Sequence, residues 1–516
     1  MTNWLKIFHL GLNKLDMLRK KVISRNIKYN AVSQGIVFAI NLALFPFIVS
    51  HVGKEIYGAY LLVMTFTGYL GVLDFGVTAA VTKYVAEFIG KGDRERAKKI
   101  IDASLSFYVV IGVIAALVLF IFSFYFDYIF KVETVNKAVI QQLFWVAAAA
   151  SLFIWPGRTF NGVLHGFQRF DWLAINNIAR AVLTGIFAYL IFTRGLGMVW
   201  FLTLSYLFIV LQYLAAYILG RYRLLRAKIT FPYFKKEVFK IIFGFSIFLF
   251  LSNLVGLIIF DIDNFVIGAF ASVSTVTLYG VGFSLQKGFR MINALMGSPL
   301  FPAGADMEGR SEHNKQRELL LKGTKYMTLV FVPLVLVTII FAELFITNWM
   351  GKGFIESILP AQVLIAFWIF NSTSEVGSGL LVAKGYVRVI FKIVALVALL
   401  NLGLSLALVK PLGILGVAIG TTVPMVLVAF PLILHQILKV LKVGLWEFFN
   451  LAVKKNLGVY LIAVILSILA LELFQPANIF LTILEMGIVY GVVILIGFRL
   501  FLSSEERKEI LLMVRP

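Results

Sequence analysis

The sequence has no cysteine among its 516 residues, so neither disulfides nor thiol chemistry contribute to its fold or function. Charge is scarce as well. Only 14% of residues are charged, where soluble domains carry about a quarter. Acidic residues are the scarcer sign, 26 against 47 Lys and Arg. No GxxxxGK[ST] stretch occurs, which excludes a Walker A ATPase. No HExxH occurs either, and the five histidines are scattered, so neither a metal enzyme nor a cofactor is expected. No short apolar core with a small-residue cleavage site opens the chain, and a cleaved secretory signal is not expected.

What is abundant is hydrocarbon. The chain is 60% hydrophobic, with a mean hydropathy of +0.94. Apolar runs of about 20 residues, each enough to cross a bilayer, recur throughout. They predict an all-α polytopic membrane protein with about fourteen transmembrane helices. The spans fall near 29–50, 56–76, 101–123, 137–158, 172–193, 197–219, 241–269, 278–303, 326–345, 359–383, 389–409, 413–438, 457–474 and 480–499. A membrane β-barrel would instead show short alternating segments.

A net charge of +21 invites a nucleic-acid reading, but its placement decides otherwise. On one side of the spans the connections and both ends hold 38 Lys and Arg. The other side holds six, Lys54, Lys131, Lys137, Arg194, Lys352 and Lys410. The positive-inside rule then puts both termini in the cytoplasm of a multi-pass protein of the inner (cytoplasmic) membrane. Residues 1–28 form a basic arm. Trp4, Phe8, Leu12, Leu15, Leu18 and Val22 recur there at helical spacing, as in an amphipathic helix lying on the inner leaflet.

The two halves resemble each other. Ile56-Tyr57-Gly58-Ala59-Tyr60 matches Leu278-Tyr279-Gly280-Val281-Gly282, GKGDRERAKK at 90–99 matches EGRSEHNKQR at 308–317, and TRGLGMVW at 193–200 matches VKPLGILG at 409–416. The offsets, 222, 218 and 216, indicate a parallel repeat of six spans. The expected organisation is an N-terminal lobe over 29–219, a basic cytoplasmic linker over 220–240 and a C-terminal lobe over 241–438. Two further spans and a cytoplasmic tail occupy 439–516. Lobes of this kind suit a transporter that rocks around a central site.

LDFGVTAAVTKYVAEFIGKGDRERAKKI at 73–100, VGKEIYGAY at 52–60, and FDIDNFVIGAF at 260–270 followed by VTLYGVG at 276–282 resemble a known family. It is that of the polysaccharide-biosynthesis, O-antigen-type oligosaccharide flippases, within the multidrug/oligosaccharidyl-lipid/polysaccharide exporter superfamily. The resemblance covers about residues 27–440. It implies export of a polyprenyl-(pyro)phosphate-linked oligosaccharide from inner to outer leaflet by alternating access, for surface polysaccharide synthesis. Candidate partners are that lipid-linked cargo, membrane lipids, and the glycosyltransferases or polymerase of the same pathway, with no nucleic acid.

Depth selects the candidate residues. Lys287 and Arg290 lie roughly 14 and 18 Å into span eight, near mid-bilayer, and their spacing of three puts them on one helix face. Each cation costs about 2.5–3.5 kcal/mol at a helix centre, so the pair should face a cavity or a counter-charge rather than lipid. The resemblance supplies an anion, the carrier's pyrophosphate, in a chamber between the lobes. Arg180 lies near mid-depth in span five, as a substrate contact or a structural partner of Glu375. Arg158, in WPGR, is an entry-side phosphate contact or a snorkelling side chain. Asp261, Asp263 and Glu375 are the candidates for ion coupling. Asp261 and Asp263 point about 200° apart on a helix, so they share a cavity only if the helix breaks there. Asp74, Glu343, Glu472 and Glu485 fall toward span ends and receive no role.

Two other classes compete. A cation-coupled multidrug exporter of the same superfamily needs carboxylates for cationic drugs, yet the mid-bilayer balance is three cations to one anion. A glycan polymerase or ligase generally carries long charged outer loops, and none is present here. An enzyme is not expected.

Overall fold

The computed structural model describes residues 14–133, 137–225, 229–244, 250, 256, 262–297 and 300–508. Among them there is no strand, and ten helices are long and apolar enough to cross a membrane. Large apolar side chains face outward along them: Leu399, Leu427, Leu461 and Leu495 are all more than 60% exposed. Helices that satisfy their own backbone while presenting leucine outward are the form a hydrocarbon solvent demands. The protein is an all-α, multi-pass membrane protein. It packs as two compact units, one up to Thr277 and the other from Leu278.

The first unit begins with α1 (Lys14–Leu70), which covers the first expected span and most of the second and is broken between them at Gly53, where φ is 79°. Leu15, Leu18 and Val22 of the expected arm fall on this helix, while Trp4, Phe8 and Leu12 lie outside the described residues. A Cβ on Gly58 would sit 2.0 Å from the Val273 carbonyl oxygen, so only glycine lets the two backbones approach this closely. Thr277 Oγ1 donates to the Lys54 carbonyl nearby, at 2.6 Å.

A 3₁₀ turn over Gly71–Asp74 then interrupts the chain, and Phe75 and Gly76 are both left-handed. After it come α2 (Val77–Gly90), α3 (Arg94–Phe122), α4 (Lys137–Gly166), α5 (Phe170–Thr193), α6 (Gly197–Ile218) and α7 (Ile262–Phe270). Val81, Ile101, Tyr108, Trp155 and Leu164 form part of their shared core. Near the basic end, residues 229–244 pack onto α3. Buried Asp102 accepts from Thr230 N at 3.0 Å and from Lys98 Nζ at 2.7 Å, and Tyr233 N donates to Ser106 Oγ at 2.8 Å. The later part of the basic 220–240 stretch is thus tied to the first unit. Most of the expected seventh span lies outside the described residues.

α8 (Val273–Gly297) starts in the first unit and continues into the second, which adds α9 (Leu300–Gly309), α10 (His313–Ile340), α11 (Ile358–Ala383), α12 (Val387–Pro424), α13 (Phe430–Leu441), α14 (Leu457–Leu473) and α15 (Ile479–Ile496). Gly413, at φ 58°, breaks α12 between two expected spans as Gly53 breaks α1. α10 is the central element: 72% of its apolar stretch is buried, against 17–44% in the other nine. It packs against α11, α14 and α15. Asn456 Nδ2 donates to the Lys325 carbonyl at 2.8 Å and to Thr328 Oγ1 at 3.1 Å, and Tyr490 OH donates to the Val330 carbonyl at 3.0 Å. The two helices beyond the repeat are therefore fastened to its centre.

Two turns recur in both units. After α2, Asp93 N reaches the Phe88 carbonyl with Gly92 left-handed; after α9, Glu312 N reaches the Met307 carbonyl with Ser311 left-handed, 219 residues later. After α4, Arg169 N bonds the Leu164 carbonyl around left-handed Gln168; after α11, Tyr386 N bonds the Leu381 carbonyl around left-handed Gly385, 217 residues later. Both are helix ends closed by a left-handed residue, which returns the last carbonyls to a hydrogen-bonded state.

Candidate functional site

Arg158 sits on α4 just after Pro156 and Gly157. The proline withdraws one backbone N–H from the helix ladder. The glycine lets α6 come close: a Cβ at Gly157 would lie 2.4 Å from Tyr213 Cγ. Arg158 Cζ stands 4.3 Å from the Trp155 ring centroid, a cation–π distance. Its charge also reaches the Tyr213 and Tyr108 hydroxyls. Arg180, on α5, acts on Tyr213 from another helix and on Tyr60 of α1. Beside them Gln212 Nε2 donates to Asn177 Oδ1 at 2.8 Å. The first unit thus carries two half-buried guanidiniums whose charges both act on one tyrosine, with Trp155 against Arg158 and Tyr60 within reach of Arg180. Neither arginine has an ion-pair partner among the described residues.

Asp74 belongs to the same neighbourhood, and helix counting passed it over. Counting residues along an unbroken span put it at a membrane edge, whereas it closes the 3₁₀ break before α2. Its carboxylate accepts from Thr78 Oγ1 at 2.9 Å and from the hydroxyl of fully buried Tyr108, which also lies 2.7 Å from Thr78 Oγ1. The signal was local: Asp74-Phe75-Gly76 carries the glycine a helix break requires.

In the second unit Lys287 is exposed, with Nζ 4.4 Å from the Phe283 ring centroid, and Arg290 is half-buried one turn further along α8. Asn293, the next residue of that stripe, is buried and donates from Nδ2 to Glu375 Oε2 at 2.9 Å. Gly297 continues it, and a Cβ there would meet Glu375 Oε1 at 2.5 Å. Glu375 is therefore held by an amide and a bare backbone. Arg158 and Glu375 occupy matching places, each nine residues before the recurring turn that ends its helix.

Asp263 is buried at the start of α7, beside Asn264, whose Nδ2 donates to Thr65 Oγ1 at 3.1 Å. Asp261 lies outside the described residues. Among the described residues no cluster of three His, Asp or Glu is arranged to hold a metal.

Set against known proteins, the sequence matches the family model for polysaccharide biosynthesis proteins over residues 23–308. It is 24% identical over 409 residues to a Shigella flexneri protein assigned as an O-antigen transporter, covering 78% of this chain and 95% of that one. The fold is similar to that of the lipid II flippase MurJ in an inward closed conformation, at 14% identity and a TM-score of 0.69, covering 92% and 99% of the two chains. It is also similar to an inward-facing multidrug resistance MATE transporter of the MOP superfamily, at 20% identity and a TM-score of 0.66, covering 78% and 94%. These relatives are transporters and flippases, not enzymes.

Proposed function

The chain belongs to the polysaccharide biosynthesis protein family, and from that membership we propose that it is a flippase for a polyprenyl-(pyro)phosphate-linked oligosaccharide. It carries this lipid from the inner to the outer leaflet by alternating access, supplying surface polysaccharide synthesis. It works in the inner membrane with both termini in the cytoplasm, as the bias of 38 basic residues to six supports.

The observation that carries this reading is the pair Arg158 and Arg180, within span helices and without carboxylate partners among the described residues. A cation near mid-depth, as Arg180 is, costs about 2.5–3.5 kcal/mol, and an incoming anion offsets that cost. Guanidinium forks match the oxygens of a phosphate in two parallel hydrogen bonds. In the second unit Lys287 and Arg290, one helical turn apart, are the matching contacts. The relatives' names agree in kind, an O-antigen transporter and a lipid II flippase.

The rival is a cation-coupled drug exporter using Asp263, Glu375 and Asp261, and the MATE-like fold keeps it in view. A deletion strain separates the two. The flippase reading expects lipid-linked sugar to accumulate on the inner leaflet with unchanged sensitivity to cationic drugs. Normal surface glycan together with drug sensitivity overturns it.

A further inference from the structure

At the basic end of the second unit a cavity of about 470 Å³ is lined by none of the candidate site residues described above. Its floor is one face of α10, with Arg317, Leu321 and Lys325 four residues apart and Lys322 beside them. Its opposite wall is Glu447, Leu451 and Lys455, again four apart, and the tail closes it with Glu506. Apart from α10, these walls come from the segment beyond the six-span repeat.

The charges in it are mostly matched. Arg317 holds Glu447 through Nη2 alone, the longer contact 2.7 Å; Lys322 holds Glu318 at 2.8 Å; and Lys325, 4% exposed, holds Glu506 at 2.6 Å. Four cations face three carboxylates, leaving one positive charge in excess. That excess is Lys455, which has no ion pair among the described residues, and Arg317 keeps Nε and Nη1 without a protein partner there. With each carboxylate already facing a cation, the net positive charge of the lining favours a phosphate over an ammonium.

The chain that leads into the Glu447 wall fixes the depth. Leu445 and Trp446 are 65% and 69% exposed, Leu451 is 40% exposed, and Trp446 stacks on Phe449. Exposed indole and leucine beside Lys454 and Lys455 mark the headgroup level of a bilayer, where the ring is half wet and aliphatic chains begin. We propose that this cavity binds an acidic phospholipid, its phosphate on Lys455 and Arg317 and its acyl chains along Leu451, Trp446 and Leu445. It is a lipid site separate from the cargo path.

The test uses the full chain purified in detergent, with bound lipid read by native mass spectrometry and thermal unfolding followed in parallel. The probes are phosphatidylglycerol, phosphatidylethanolamine and inorganic phosphate. Phosphatidylglycerol should be retained and raise the unfolding temperature more than either of the others. A lysine near a charged headgroup contributes about 1 kcal/mol, so exposed Lys455→Ala should lower that retention about fivefold, and Lys455→Glu further. Both variants should keep the wild-type unfolding temperature without added lipid, which excludes misfolding as the cause. Equal retention of phosphatidylethanolamine, an equal shift with phosphate alone, or unchanged retention in both variants overturns the proposal.

Discussion

At the scale of single residues, the proposed cargo path rests on two arginines, Arg158 and Arg180, that have no carboxylate partner among the described residues. Arg158→Ala and Arg180→Ala should each slow flipping of a lipid-linked oligosaccharide in proteoliposomes by about 10- to 100-fold, the equivalent of one charge-assisted hydrogen bond. Lysine at either position should restore part of the rate, since the charge remains but the fork is lost. Wild-type rates in both alanine variants would remove these arginines from the cargo path. Depth along a helix was enough to single out Arg180, Lys287 and Arg290 in the sequence. Asp74 was illegible to that method, because residue counting assumes a continuous helix and this one stops at Gly71–Asp74. A further residue-scale expectation concerns acid. Hydrogen bonds from Lys384 and then Gln316 hold the Glu308 carboxyl below its ordinary value of 4.5. Its contribution is therefore complete above about 4.5 and fades as pH falls through the lower folded-state value. Lys384→Met should flatten the acid side of a stability-against-pH curve, measured by thermal unfolding.

Between elements, close approach decides what the sequence tolerates. Gly157→Ala drives a methyl into Tyr213 and should cost about 1–3 kcal/mol of stability through overpacking of α4 against α6. Gly403, exposed on α12 with nothing within 4 Å, is the control; alanine there should be neutral or stabilising by up to about 1 kcal/mol. A detergent melting series compares the two directly, and equal melting temperatures would refute the packing argument. Asp102→Ala removes the acceptor that ties Thr230 and Lys98 together, and should speed protease cleavage within 229–244. Most helices were readable from apolar run length alone. The breaks inside α1 and α12 were readable as boundaries between runs, since Gly53 and Gly413 interrupt them. The fastening of 229–244 onto α3 was not, because it depends on one buried aspartate meeting a backbone N–H 128 residues away.

For the whole molecule, the sign of the cargo sets the energetics. Moving negative charge out of an inside-negative compartment releases about 2.3 kcal/mol per charge per 100 mV. Proteoliposomes clamped with a potassium diffusion potential should therefore flip a diphosphate-linked cargo faster as the interior becomes more negative. Indifference to voltage with dependence on sodium or pH would shift the weight to Asp261, Asp263 and Glu375. The fold class and the repeat were legible because hydropathy and turn chemistry act locally; the assembly of Arg158, Tyr213 and Arg180 from three helices was not. The matching positions of Arg158 and Glu375 bear on ancestry and engineering alike. A tandem of two first halves would carry guanidinium in both places, and a tandem of two second halves would carry carboxylate in both. At this one position the two halves are not interchangeable, since one carries a guanidinium where the other carries a carboxylate.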